Sequence, residues 1–308
     1  MLLKSIKPLI QRGIRSLFLS GILVALLLSG CRELVQDEFP DFTPVPTVNS
    51  FLVADSLIRV HVSLSGKLDS IPLTVVDNAT VSCQINDSLS EILNNKGDGY
   101  YSGKTIARER NVYRFTVSVP GYPDITATDT VPERVELLKF EHINVAGVDE
   151  EGRTYPAIRI TFPVNPNHIK YYQVEIKYNT SYNWQSGQFK DFSDPNLLAE
   201  GLPIAVFSTE RIQDTIYIMH LDYTTGHYGR TDNGPWITQL YPLIVEFKTI
   251  SYQYYQYLRQ LYLYNTGRFP DFQFGPYKAF PLYSNVNNGM GIVAGYSRYV
   301  SEIITPEY

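Results

Sequence analysis

The chain has 308 residues, 44% of them hydrophobic, with 26 Lys and Arg against 31 Asp and Glu and only two cysteines. That apolar content excludes a disordered chain, and two cysteines exclude a disulfide framework or a cysteine-rich metal centre. A net charge of −5 argues against nucleic acid or an anionic lipid surface as a charge-driven partner.

Lys4, Lys7, Arg12 and Arg15 open the chain with positive charge and no acidic residue. Leu17–Leu28 is then an apolar run broken by Ser20 and Gly21, followed by Ser29, Gly30 and Cys31. A positive start, a short apolar core and a small-residue exit mark residues 1–30 as a secretory signal. The core is shorter than the roughly 20 residues a membrane-spanning helix needs. Leu28-Ser29-Gly30-Cys31 resembles the bacterial lipobox, whose cysteine thiol is alkylated with diacylglycerol before cleavage. Cys31 is therefore the predicted lipidation site. Each buried CH₂ contributes about 0.8 kcal/mol, so two or three acyl chains hold firmly where one does not. Without its four basic leader residues the remaining chain carries −5 − 4 = −9.

Residues 31–46 read as an acidic tether. Glu33, Asp37, Glu38 and Asp41 face Arg32 alone, and Pro40, Pro44 and Pro46 oppose helix. From 47 to 132 the hydrophobic period is two. Ile58, Val60, Val62 and Leu64 alternate with Arg59, His61 and Ser63; Val81, Cys83 and Ile85 repeat the pattern, as do Tyr113, Phe115 and Val117. Asn94–Gly99 is turn-rich, and Pro120-Gly-Tyr-Pro123 turns the chain again. About seven short strands without a helical pattern predict an immunoglobulin-like β-sandwich. Within it Cys83 reads as a small buried thiol.

Residues 133–308 read as a second β-rich domain. Its predicted strands are 134–143, 157–163, 171–178, 204–207, 215–221 and 240–250, with turn-rich inserts at 180–201 and 222–236. One helix is predicted over 251–264: Ser251 is its N-cap, and Tyr254, Tyr257, Leu258, Leu261 and Tyr264 follow at three- and four-residue spacing toward Gly267. Residues 291–304 return as a final strand. The predicted fold class is mainly β, a sandwich followed by a β-rich domain with one short helix.

Catalytic signatures are sparse. The five histidines, His61, His142, His168, His220 and His227, form no compact ligand spacing. His220, Asp222 and His227 are near in sequence, the one set a hydrolase or a zinc ion could use, and no metal site is expected there. Glu150-Glu151 and Asp191/Asp194 read as solvated loop charges. No cofactor is expected. Tyrosine is the unusual residue: twelve of the 24 lie in 241–308. Such rings serve either packing or recognition. Trp184 and Trp236 in the two inserts, with Tyr254 and Tyr257 on the helix, are the candidate ligand- or partner-binding residues. Asp-Ser/Thr-apolar tripeptides at 55–57, 69–71, 87–89, 129–131 and 214–216 resemble the O-glycosylation site of exported Bacteroidetes proteins.

These features converge. The lipobox and acidic tether, Asn49-Ser-Phe-Leu-Val53, Pro120-Gly-Tyr-Pro123, Asp129-Thr-Val-Pro132, the Ser251-Tyr-Gln-Tyr-Tyr-Gln-Tyr-Leu258 helix and the Ser284-Asn-Val-Asn-Asn-Gly-Met-Gly-Ile292 block together resemble an uncharacterised Bacteroidetes lipoprotein family, the domain of unknown function forty-two forty-nine. Ala54-Asp55-Ser56 departs from the family's glycine-rich pattern after the first strand. The resemblance implies an outer-membrane lipoprotein, often encoded beside a SusC-type TonB-dependent receptor, with no established catalytic residues. The expected function is a lipid-anchored, non-enzymatic binding protein that cooperates with such a transporter in nutrient uptake. A surface adhesin or structural glycoprotein is the alternative, and a hydrolase a third.

Overall fold

The computed structural model describes residues 42–66, 73–150, 152–180, 183–190, 192–224, 228–230, 236–238, 241–267 and 280–306. Among them the chain forms nineteen strands and two helices, a mainly β protein. The first seven strands occupy the stretch where about seven were predicted: β1 (Pro46–Val53), β2 (Leu57–Leu64), β3 (Thr80–Ile85), β4 (Leu89–Gly97), β5 (Tyr100–Ile106), β6 (Val112–Ser118) and β7 (Ile125–Thr130). Then come β8 (Lys139–Val148), β9 (Thr154–Pro163), β10 (Tyr171–Asn179), β11 (Trp184–Ser186), β12 (Gln188–Phe189), helix α1 (Pro195–Glu200), β13 (Val206–Ser208) and β14 (Ile216–Thr224). The chain closes with β15 (Tyr228–Arg230), β16 (Trp236–Thr238), β17 (Leu243–Ile250), helix α2 (Tyr252–Gly267), β18 (Val286–Asn287) and β19 (Met290–Val300).

The alternation read from sequence sets which faces are buried. Ile58, Val60 and Val62 of β2 are fully buried while Leu57 and Arg59 stay exposed. The turn between β4 and β5 is tighter than predicted. Asn94–Gly97 belong to β4, and Asp98 and Gly99, both at positive φ, make the two-residue link expected of an Asp-Gly hairpin.

Strand order in the main sheet is β11-β10-β17-β19-β1-β2-β5-β4-β3-β6-β7-β18, with β13 also on β10. A second sheet runs β12-β14-β9-β8, and β15 pairs with β16. β4 joins two layers: Leu89–Leu93 pair with β3, and Asn94–Gly97 pair with β5. The first core fills from both layers, with Val48, Val60, Cys83, Tyr113, Phe115 and Ile125. The second lies between the β10–β17 end of the main sheet and the second sheet, with Phe162, Tyr172, Phe207, Met219, Tyr223 and Phe247.

Residue 132 separates the strands of these two cores, yet the end of the chain returns across that boundary. β19 lies between β17 and β1, antiparallel to the former and parallel to the latter from Thr47↔Met290 to Val53↔Tyr296. Val286 and Val293 belong to the first core, whereas Tyr299 packs on the second. One strand thus serves both halves of the molecule.

Candidate functional site

Helix α2 begins where its sequence says it should. The Ser251 hydroxyl accepts from the Tyr254 backbone N–H at 3.1 Å, satisfying a donor that a helix start leaves unpaired. That hydroxyl also donates to the Asp129 carboxylate, and the same oxygen of Asp129 accepts from the Gly295 N–H at 2.7 Å. Ser251 N–H donates to the Gly295 carbonyl at 2.9 Å. These contacts fix the helix start against β7 and β19. Asp129 is buried, and burial pushes its pKa up to about 6 against the lowering effect of these donors.

From this anchor α2 lies across the outer face of the main sheet. Alternation places Tyr171, Gln173, Glu175 and Lys177 of β10, Glu246 and Lys248 of β17, Tyr296 and Arg298 of β19 and Phe51 of β1 on that face. Their neighbours Val174, Ile176, Val245, Phe247 and Leu52 point into the two cores. Tyr254 packs against Phe51 and Tyr296, with ring centroids at 5.4 and 5.7 Å. The Tyr255 ring lies 4.7 Å from Tyr171. Its hydroxyl donates to Glu200, which also holds Arg259 at 2.6 Å and accepts from the Ser208 N–H at 2.7 Å.

Beside the helix the same face carries a charge network. Glu246 is almost fully buried; its Oε1 accepts from Lys177 at 2.8 Å and Arg298 at 3.0 Å. Lys248, equally buried, meets Glu175 at 2.6 Å and lies 5.3 Å from the centre of the Tyr296 ring. Burial raises the Glu246 pKa, but the Lys177 hydrogen bond and the charges of Lys248, Lys177 and Arg298 bring it below the ordinary value. Opposite charges that neutralise each other this closely are a structural device, since an unpaired buried charge would be far more costly.

Open grooves flank the helix. On one side a cleft of about 540 Å³ lies between Leu258, Leu261 and Tyr262 of α2 and Phe189, Phe192 and Ile204. On the other a hollow of about 480 Å³ is lined by Phe51, Arg59, His61, Tyr100 and Tyr257. It adjoins a second hollow of about 340 Å³, which shares Arg59 and Tyr100 and adds Leu57 and Lys96.

The predicted recognition residues are distributed as follows. Tyr257 is half-buried and lines the hollow beside Phe51. Tyr254 is 9% exposed and sealed between rings, so it supports the face and offers little of it to a ligand. Trp184 is 45% exposed on edge strand β11, opposite Asn179 and so in step with Lys177 on the outer face. Trp236 pairs through its backbone with Arg230. Its side chain lies outside the described residues, as do Cys31, His227 and Asp191. His220 and Asp222 meet at 3.0 Å on β14. No group of three His, Cys, Asp or Glu side chains among the described residues could hold a metal ion. Cys83 is fully buried in β3, and burial pushes its thiol pKa up to about 12, with the Glu91 charge adding to the effect.

Three sequence readings need correction. Asp194 is no solvated loop charge: it is 4% exposed and caps α1, accepting from the N–H groups of Asn196 and Leu197 and from the Tyr217 hydroxyl. Helix α1 itself lies inside what reads as a turn-rich insert. Its signals were present in Asp194, Pro195 at the helix start and Gly201, left-handed at φ 73°, after its end. The first strand after residue 133 begins at Lys139, five residues beyond the predicted start.

No curated protein matches the chain. No described helix is long and apolar enough to cross a membrane. A family model described as Domain of unknown function (DUF4249) matches residues 32–302, which spans the described strands and both grooves. The chain belongs to that family, as its motifs from the first strand to the closing Asn-Gly-Met-Gly block resemble it.

Proposed function

We propose that the protein is a non-enzymatic accessory lipoprotein of the outer membrane. Acyl chains on Cys31 hold it to the membrane, and the tether that follows lets the β-rich body reach a SusC-type TonB-dependent transporter, its cargo, or both, in nutrient uptake. The observation that carries this reading is the aromatic helix α2 laid across a sheet face, with an open groove on each flank. Concave, largely apolar surfaces with a few polar groups are the usual form of a binding site. The lipobox-like Leu28–Cys31 supports the anchor.

Co-purification from native outer membranes tests it. A tagged chain is expected to bring a TonB-dependent barrel with it in mild detergent, and Cys31→Ala is expected to move the chain out of the membrane fraction. A chain that comes out free of any barrel would refute the partnership. One observation favours the surface glycoprotein as second reading. Ser56, Ser88 and Thr215 of the Asp-Ser/Thr-apolar tripeptides are exposed, while Thr130 follows the buried Asp129. Sugar masses on the first three and an attachment defect on deletion, with uptake intact, would support it.

A further inference from the structure

The two adjoining hollows on the β1–β2–β5 side of α2 are lined by basic side chains and by no acidic one. In a chain of net charge −5 their described lining holds Arg59, His61 and Lys96 and no carboxylate. Elsewhere Arg108, Arg114, Arg259 and Arg298 each hold an acidic side chain. Arg59 has no such partner among the described residues. Around Arg59 and Lys96 stand aromatic rings left open to solvent: Phe51 is 43% exposed and Tyr100 53%, and Tyr100 lies 4.7 Å from the His61 ring. Large exposed rings beside unneutralised cations mark a surface held ready for a ligand.

The chemistry of that ligand follows from what the floor lacks. β1, β2 and β5 are interior strands of the main sheet, each with a neighbour on both sides, so none of them offers an edge to an added strand. The polar side chains of the floor are engaged as well. Asn49 accepts from the Ile292 N–H at 3.2 Å, Ser50 donates to the Arg59 carbonyl at 2.7 Å, and Ser102 donates to the Ile58 carbonyl at 3.1 Å. A peptide laid here would leave its amides without partners, which is costly on desolvation. A sugar ring puts its C–H face on the electron-rich face of an aromatic ring and keeps its hydroxyls in water. A carboxylate on that sugar would find Arg59 in the fork geometry that suits it.

We propose that this groove binds an acidic glycan, with uronate rings stacked on Tyr100, Phe51 and Tyr257 and a carboxylate held by Arg59 with help from Lys96 and His61. The proposal deepens the reading of the chain as a binding protein and is independent of its anchor and its transporter.

The test is calorimetric titration of the full mature chain with trigalacturonate, its methyl ester, polyglutamate and inorganic phosphate. Trigalacturonate is expected to bind, more weakly as salt rises. The methyl ester should bind at least tenfold more weakly. Arg59→Ala and Tyr100→Ala should each cost at least tenfold with the melting temperature unchanged, since both side chains are exposed, and Arg59→Lys should retain part of the affinity. Absence of trigalacturonate binding, equal affinity for acid and ester, or an unaltered Arg59→Ala protein would overturn the proposal. So would tighter binding of polyglutamate, which would assign the groove to an acidic peptide, or of phosphate, which would reduce it to a simple anion site. Failure here with the barrel still co-purifying would leave the accessory role standing; binding without a barrel would do the reverse.

Discussion

Replacing Asp129 with Asn should change how stability depends on pH. The carboxylate is 7% exposed and accepts from Ser251 and Gly295 at the junction of β7, α2 and β19. Its pKa is raised from 3.8 to about 6 by burial. A carboxyl whose folded pKa lies above its unfolded value stabilises the fold while protonated. The contribution is fully present below about pH 3.8 and is lost as pH rises through about 6. The difference is worth about 3 kcal/mol between acid and neutral pH. The amide cannot ionise, so Asp129→Asn should remove this slope. At low pH the variant should be the less stable by about 1–3 kcal/mol, because an NH₂ in place of a carboxyl oxygen cannot accept and disturbs the buried hydrogen bonds from Ser251 and Gly295. At pH 7.5 the gap should close or reverse. Denaturant unfolding of both proteins between pH 4 and 7.5 measures it, and the difference between the curves removes every other titrating group. Parallel curves would refute the reasoning.

Four further outcomes follow from the same contacts. Gly295→Ala places a Cβ 2.2 Å from the Thr130 carbonyl oxygen and should destabilise by about 3 kcal/mol, read as a lowered melting temperature. Ser251→Ala removes the N-cap and a buried donor; it should lose about 1–2 kcal/mol and speed hydrogen exchange in the first turn of α2. Glu246→Ala leaves Lys248 buried with Glu175 as its remaining close partner, so a loss of about 3 kcal/mol in denaturant unfolding is expected. Cys83 should resist maleimide at neutral pH in the native protein and react on unfolding, because a thiol buried with a pKa near 12 exposes almost no thiolate; fast native labelling would contradict its burial.

The local grammar of the fold was legible and its long-range joins were not. Alternation along β2, β3 and β6 gave both strand and buried face, because the pleat ties side-chain direction to sequence parity. The helix after Ser251 was visible in its cap and its three- and four-residue spacing. The pairing of β19 with β1 has no local signal: Ile292 and Asn49 are 243 residues apart, and the closing strand reads the same whichever neighbour it takes. Asp194 carried part of its signal locally, with Pro195 after it and Gly201 beyond; what has no local sign is the Tyr217 hydroxyl, which reaches it from 23 residues away. The groove was half legible. Arg59, His61 and Tyr100 sit on the wet side of alternating strands, where charged and aromatic residues need no explanation. Only the sheet register and the crossing of α2 bring them beside Tyr257.

The anchor is the premise on which the membrane reading rests, and mass spectrometry of the mature N-terminal peptide from native membranes reads it directly. The account predicts Cys31 as the first residue, carrying diacylglycerol on its sulfur. A bare thiol at Cys31, or a chain still joined to residues 1–30, would contradict it.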